Sequence, residues 1–227
     1  MAKPKEDVTR VSSGIKGLDE LICGGYIPSD IYLVTGGTGT GKTIFCTQFI
    51  WEGLQKGEPG IYFSLEELPQ DIIEDVRAFG WDLEKAIHEK KLSIEYQDPF
   101  EMVDITTAVR DKIKKFNAKR VVIDSTAIFG MVFRDKHEMR KRLFELLKML
   151  KQTGAVVFLT SEISAGTEKL SRFGVEEFIV DGVIVLRAMS TGKVSVRTLE
   201  IKKMRRTKHD EGTHSIEITD NGIEITD

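Results

Sequence analysis

Cysteine is scarce in this chain of 227 residues: Cys23 and Cys46 are the only two, and neither belongs to a Cys-x-x-Cys pair. With four scattered histidines they supply neither a disulfide framework nor a zinc-ligand set. Long apolar runs are missing too. None approaches the ~18–20 residues of a membrane span, so no membrane association is expected. The opening Met1-Ala-Lys-Pro-Lys-Glu6 lacks the apolar stretch of a secretory signal, and a reducing cytoplasm is the expected compartment. Charge of one sign is not in excess: 33 Lys and Arg against 36 Asp and Glu leave −3. That argues against a strong, diffuse nucleic-acid binder while leaving room for a local basic patch. No Pro- or Ser-rich linker and no long internal repeat interrupts the chain, so one domain over 1–227 is expected. What is present is 41% hydrophobic and 30% charged residues, a balance that indicates a soluble globular chain with a substantial core.

The stretch Leu33–Thr43 (LVTGGTGTGKT) carries the strongest signal. Gly36, Gly41, Lys42 and Thr43 meet the pattern G-x-x-x-x-G-K-[ST], which chance supplies roughly once per hundred chains of this length at ~7% glycine. A β-rich run, Ile31–Thr35, precedes the loop and a helix-like run follows it to Gln55, the context a phosphate loop requires. Its glycines permit positive φ and leave backbone N–H groups free to converge on an anion, and the helix start adds its positive end. Lys42 reaches the β- and γ-phosphates in such a loop, and the Thr43 hydroxyl ligates Mg²⁺.

Strand patterns at Ile31–Thr35, Gly60–Ser64, Leu92–Tyr96, Arg120–Ile123 and Ala155–Thr160 alternate with helical patterns. The latter are Ile44–Gln55, Pro69–Phe79, Met102–Phe116 and Glu138–Gln152. Continuous apolar strands such as VVI and AVVFLT read as buried on both faces, hence a parallel sheet in a doubly wound α/β fold with ligands at the carboxyl ends of its strands. From Asp181 onward the pattern changes to β-hairpins, with turns at Ser190-Thr-Gly192 and Asp220-Asn-Gly222.

Several residues at strand ends are site candidates. Asp124 closes an apolar strand and is placed either to hold Mg²⁺ or, with Ser125, to cap a turn. Glu66 and Glu67 follow another strand and precede Pro69. They are either a pair from which one polarises an attacking water or acids complementing a helix start, and the sequence does not separate the two. Thr160 and Ser161 end the next strand as γ-phosphate sensors or caps. Lys202–His209 (KKMRRTKH) is the densest basic run. Continued as a strand from Leu199 and Ile201, it places Lys203, Arg205, Thr207 and His209 on one face, a set that suits phosphate and ribose better than a duplex groove. Cys46 and the stripe Met139, Leu143, Leu146, Leu147 and Leu150 read as core.

With these residues assembled, the chain resembles the RecA superfamily and, within it, the KaiC family of circadian-clock ATPases with their single-domain archaeal relatives. The matching stretches are SSGIKGLDELICGGYIP, GGTGTGKT, FSLEELPQDI, AFGWDL, VVIDS, RFGVEEFIVDGVIVLR and LEIKKMRRTKH, from about Val11 to His209. The resemblance implies a RecA-like P-loop fold, ATP and Mg²⁺ as ligands, and a homo-oligomeric ring, usually a hexamer, with nucleotide between subunits. It implies nucleotide contacts from Gly36, Gly37, Thr38, Gly39, Thr40, Gly41, Lys42, Thr43 and Ile44. It makes Glu66 and Glu67 the catalytic pair beside Lys42, and Thr43, Asp124 and Glu67 the metal-side residues. Lys203, Met204, Arg205, Thr207, His209, Thr219 and Asp220 are implied to reach the neighbour's nucleotide. The chain departs from the clock proteins in holding one ATPase domain where they hold two, and in having no identifiable counterpart of their phosphorylation switch. Ala78 stands where a relative can place a ribose-contacting hydroxyl. The expected function is a slow, Mg²⁺-dependent ring ATPase with a regulatory or signalling output. Two alternatives stand beside it: a RecA- or RadA-like DNA-binding ATPase using the basic segments Gly130–Arg142 and Gly166–Arg172, and a nucleotide-gated scaffold recruiting a protein partner.

Overall fold

The computed structural model describes residues 9–97, 105–133, 135–163, 169–191 and 194–227. A short helix α1 (Leu18–Leu21) precedes β1 (Ile31–Gly36), α2 (Lys42–Gln55), β2 (Gly60–Ser64), α3 (Pro69–Arg77) and α4 (Leu83–His88). Then come β3 (Leu92–Tyr96), α5 (Ile105–Phe116), β4 (Arg120–Asp124), α6 (Phe129–Val132), α7 (Lys136–Lys151), β5 (Val156–Glu162) and α8 (Glu176–Ile179). Four strands finish the chain: β6 (Gly182–Thr191), β7 (Val194–Met204), β8 (Thr213–Thr219) and β9 (Gly222–Ile225).

Among the described residues nine strands form one sheet in the order β3-β2-β4-β5-β1-β6-β7-β8-β9. Pairing is parallel from β3 through β6 and antiparallel from β6 onward. Period-two alternation divides each central strand between two cores. Tyr32, Val34, Tyr62, Val122 and Phe158 face one side with Phe45, Phe49 and Ile50 of α2. Leu33, Phe63, Ile123 and Leu159 face the other with Ile113 of α5 and the α7 stripe from Met139 to Leu150. Cys46 and that stripe are core, as expected. Phe158 centres an aromatic cluster, stacked on Phe49 with centroids 4.1 Å apart and edge-on to Tyr26 at 5.0 Å. Truncating such a residue to Ala costs about 3–5 kcal/mol.

Every strand and long helix expected from periodicity is present, the described ends displaced by no more than two residues. Met102 and the turn residue Gly192 lie outside the described residues. The unexpected α4 is held by its cap, Asp82 accepting from Lys85 N at 2.9 Å, and buries Leu83 and Ala86. The β8–β9 hairpin turns between Thr219 and Gly222, where φ is +106°, a left-handed value that favours glycine.

The strand order positions the site. β2, β4, β5 and β1 are consecutive neighbours, so their carboxyl ends lie side by side, with the phosphate loop after β1.

Candidate nucleotide-binding site

The loop from Gly36 to Gly41 takes its shape from glycine. At Gly36 a Cβ would lie 2.3 Å from Leu186 O and 2.7 Å from Thr40 Oγ1, which forbids any side chain. Gly39 and Gly41 sit at φ +74° and +98°, where an L side chain is strained. Gly41 is the N-cap of α2 and offers no side-chain cap. The first-turn N–H groups of this 14-residue helix are therefore free to bond an anion. Lys42 Nζ donates to Gly36 O and Gly37 O at 3.1 and 2.9 Å, which fixes the ammonium over the loop with one of its three donors left. Thr40 Oγ1 closes the turn by donating to Gly37 O at 2.9 Å.

A cavity of about 340 Å³ opens in front of the loop, lined by Thr38, Gly39, Gly41, Lys42, Thr43 and Ile44 together with Glu66, Glu67 and Asp124. Asp75, Ser125, Glu162, Arg197 and Ile218 complete it. The tertiary structure thus brings the loop, the glutamate pair and the strand-end aspartate to one place. Tyr62 OH donates to Asp124 Oδ2 at 2.5 Å, and Thr160 Oγ1 donates to Asp124 Oδ1. Burial foremost, then Asp124, raises the Tyr62 hydroxyl well above its ordinary pKa, so it stays a donor. The capping role falls to Ser125, whose Oγ accepts from Ala127 N at 3.3 Å, and Asp124 is left facing the cavity.

The two glutamates differ. Glu66 is exposed, and its Oε1 accepts from Ser125 Oγ. Glu67 is partly buried, and its Oε2 lacks a hydrogen-bond partner among the described residues. Burial raises the Glu67 pKa above the usual carboxyl range, with Asp124, Asp75, Glu66 and Asp71 adding to it. A carboxylate of raised basicity, lining the cavity in front of a phosphate loop, is equipped to take a proton from water.

Other expectations change. Thr160 and Ser161 are fully buried and support the site from behind: Thr160 holds Asp124, and Ser161 Oγ donates to Glu176 at 3.2 Å. The basic run does not continue as a strand. β7 ends at Met204, and Arg206 turns the chain at φ +58°, so Lys203, Arg205, Thr207 and His209 do not share one strand face. Met204 is buried in the core. Lys203 Nζ donates to Glu177 O and Val180 O at 2.9 and 2.7 Å. Arg206 pairs with Asp30, and Thr207 Oγ1 accepts from Arg10 at 2.9 Å. Arg205 is held more loosely, 3.9 Å from Asp181 with its side chain 51% exposed.

The run also lies at the wrong end of the sheet for its own loop. Arg205 N donates to Asp181 O, and Asp181 N to Ile31 O, both at 2.8 Å. Ile31 opens β1, whereas the loop follows Gly36 at its other end, about 16 Å away at ~3.3 Å per residue. The β8–β9 hairpin is at the opposite end from the run: Ile218 lines the cavity and Gln48 of α2 accepts from Ile223 N at 2.7 Å. Thr219 and Asp220 are therefore beside their own loop, remote from the basic run. Of the basic segments, Gly130 lies in α6 and Lys136–Arg142 on α7, and 166–168 fall outside the described residues. Sequence reading passed over Tyr62, Asp75, Glu162 and Arg197. Arg197 Nε is buried at the cavity wall with no partner among the described residues, and nothing in a strand of alternating residues marks it out.

Comparison with known proteins agrees with this geometry. The family described as "ATPase: KaiC" matches residues 11–227. The circadian clock oscillator protein KaiC of Synechococcus elongatus is 38% identical over 229 residues, covering 96% of this chain and 44% of its own length. KaiC 1 of Synechocystis is 35% identical over 233 residues, covering 98% of this chain and 45% of its own. The chain thus spans less than half the length of these relatives. The crystal structure of a KaiC-like protein from the hyperthermophilic archaeon Pyrococcus horikoshii superposes with a TM-score of 0.87 at 40% identity, over 97% of this chain and 100% of that one. A family match over nearly the whole chain, with relatives and a solved structure at this identity, places the protein: it belongs to the KaiC family of ATPases.

Proposed function

We propose that residues 1–227 form one ATPase domain that hydrolyses ATP with Mg²⁺ and works as a homo-oligomeric ring, hexameric by family resemblance. The first-turn N–H groups of α2, Lys42 and Arg197 hold the phosphates. Thr43 and Asp124 would hold the metal, and Glu67 lines the same cavity. Among the described residues the lining holds five carboxyl groups (Glu66, Glu67, Asp75, Asp124, Glu162) against two cations, Lys42 and Arg197, a balance that suits a divalent cation beside a polyphosphate. Held by these residues, Mg²⁺ would supply positive charge against the charge that develops as the γ-phosphoryl transfers. Glu67 accepts a proton from the attacking water, whose oxygen bonds to the γ-phosphorus while the bond to the ADP oxygen breaks. Output is regulatory, through a protein partner that reads the nucleotide state, in the reducing cytoplasm suggested by two free cysteines. Among the described residues no helix is long and apolar enough to cross a membrane.

The observation that carries the ring is the separation of Arg205 from its own loop. A cation held loosely at the far end of the sheet serves a neighbour's ATP or none. The test is complementation. Arg205→Ala alone should lose about 10³-fold in turnover, the lower range for a trans-acting arginine, and Lys42→Ala alone should be inactive. Mixed one to one, about a quarter of interfaces in a head-to-tail ring pair an intact loop with an intact Arg205, and activity should return toward that fraction. No rescue in rings proven mixed by light scattering of tagged chains rejects the interfacial site.

A further inference from the structure

Glu176 is a buried carboxyl that the chemistry above does not use. It opens α8 and is 0% exposed. Its Oε1 accepts from Ser161 Oγ at 3.2 Å and Thr126 Oγ1 at 3.4 Å, and its Oε2 from Ser171 Oγ at 2.6 Å and Val175 N at 3.2 Å. These donors come from the carboxyl end of β5, from the turn after β4 and from the segment leading into α8. The same turn is tied to the nucleotide site: the one proton of Thr126 Oγ1 is shared between Glu176 Oε1 and the nearer Thr160 O at 3.0 Å, and Thr160 Oγ1 donates to Asp124.

What α8 does next gives Glu176 its meaning. The helix is a single turn, with Val180 N donating to Glu176 O at 3.2 Å, too short to be stable on its own. Its carbonyls are where the basic run is held. Lys203 Nζ donates to Glu177 O and Val180 O and reaches Phe178 O at 3.4 Å, and Arg205 reaches Phe178 O at 3.5 Å. Phe178 itself is 65% exposed beside these cations. A four-residue turn that carries both cations needs an anchor elsewhere in the fold. Glu176, bonded to the end of β5, the turn after β4 and its own lead-in, is that anchor.

We propose that Glu176 is a positioning residue for the neighbouring active site: it fixes α8 so that the helix presents Arg205, with Lys203 beside it, to the ATP bound by the next subunit. The inference rests on the ring reading above. Glu176 touches no substrate. It acts through α8, and its influence therefore falls on the neighbour's turnover and not on its own chain's. An acid that merely closes the segment before α8 would instead weaken whichever chain carries the change.

The experiment places Glu176→Gln on either partner of the complementing pair. In Lys42→Ala chains, which contribute only their cations, the substitution should reduce rescue at least about tenfold. In Arg205→Ala chains, which contribute only their loop, rescue should stay within about twofold, and ATP affinity by calorimetry should match that of Arg205→Ala alone. Ser171→Ala, which removes the hydroxyl shared by Glu176 and Glu177 and keeps both carboxyls, should give the same asymmetry in weaker form and serves if the Glu176→Gln variant misfolds, as judged by circular dichroism. Equal loss from both placements, loss only in the Arg205→Ala chain, or no loss in either overturns the positioning role. If the pair fails to complement with Glu176 intact, the ring reading fails first and the inference falls with it.

Discussion

Replacing Glu67 by glutamine should make the protein slower and, at neutral pH, more stable. The amide keeps the side chain's size and one acceptor, and removes its basicity. General-base assistance is worth about 10²–10⁴-fold, so phosphate release should fall by that factor while ATP affinity by calorimetry barely changes. Glu66→Gln should cost less than about tenfold, because Glu66 is exposed and its Oε1 already accepts from Ser125. The stability half follows from proton linkage. Burial and the neighbouring Asp124, Asp75, Glu66 and Asp71 raise the Glu67 pKa above its ordinary value in the folded state. A carboxyl with a raised folded pKa binds more protons folded than unfolded between the two values. Stability therefore falls as pH rises through that window and stays lower above it. Removing the group relieves this at neutral pH and changes nothing below the ordinary carboxyl range, where both states are protonated. Each 1 kcal/mol gained reads as about 2–4 °C in a chain of this size. Melting curves across pH, recorded without nucleotide or divalent cation, measure it. A Glu67→Gln variant that turns over within about tenfold of the parent, or one whose melting temperature drops at neutral pH, refutes the assignment of Glu67 as the base.

Three further outcomes are expected. Lys42→Ala should weaken ATP binding by about 1.5–3 kcal/mol, the worth of a charge-assisted bond, and isothermal calorimetry reads this directly; unchanged affinity removes the lysine from the phosphate site. Gly36→Ala must displace Leu186 O from 2.3 Å, so it should lower the melting temperature as well as abolish nucleotide binding, whereas a melt identical to the parent's contradicts that packing. Thr160→Val keeps the buried volume and deprives Asp124 Oδ1 of its donor. It should raise the Mg²⁺ concentration for half-maximal turnover several-fold, since such outer-shell partners are worth about 10–100-fold in metal affinity, and an unshifted Mg²⁺ titration assigns Thr160 to packing alone.

The sequence by itself determined the phosphate loop, the parallel strands and the long helices, because each is written in local terms. Glycines at fixed offsets, Lys42-Thr43 and a period of two or 3.6 need no knowledge of distant residues. It also named Asp124, Glu66 and Glu67, since strand ends in a doubly wound fold are where ligands sit. Only the tertiary structure separated the two glutamates, because burial and the company of Asp124 and Asp75 are properties of packing. It alone enlisted Tyr62 and Arg197, ordinary strand residues until β4 and the cavity come beside them. The basic run is the sharpest case. Alternation placed Lys203, Arg205, Thr207 and His209 on one face, but Arg206 takes a left-handed turn and Asp30, Arg10 and the α8 carbonyls divide the run among themselves. Its distance from its own loop depends on which end of β1 receives residue 205, and strand register, unlike periodicity, is decided by contacts far apart in the chain.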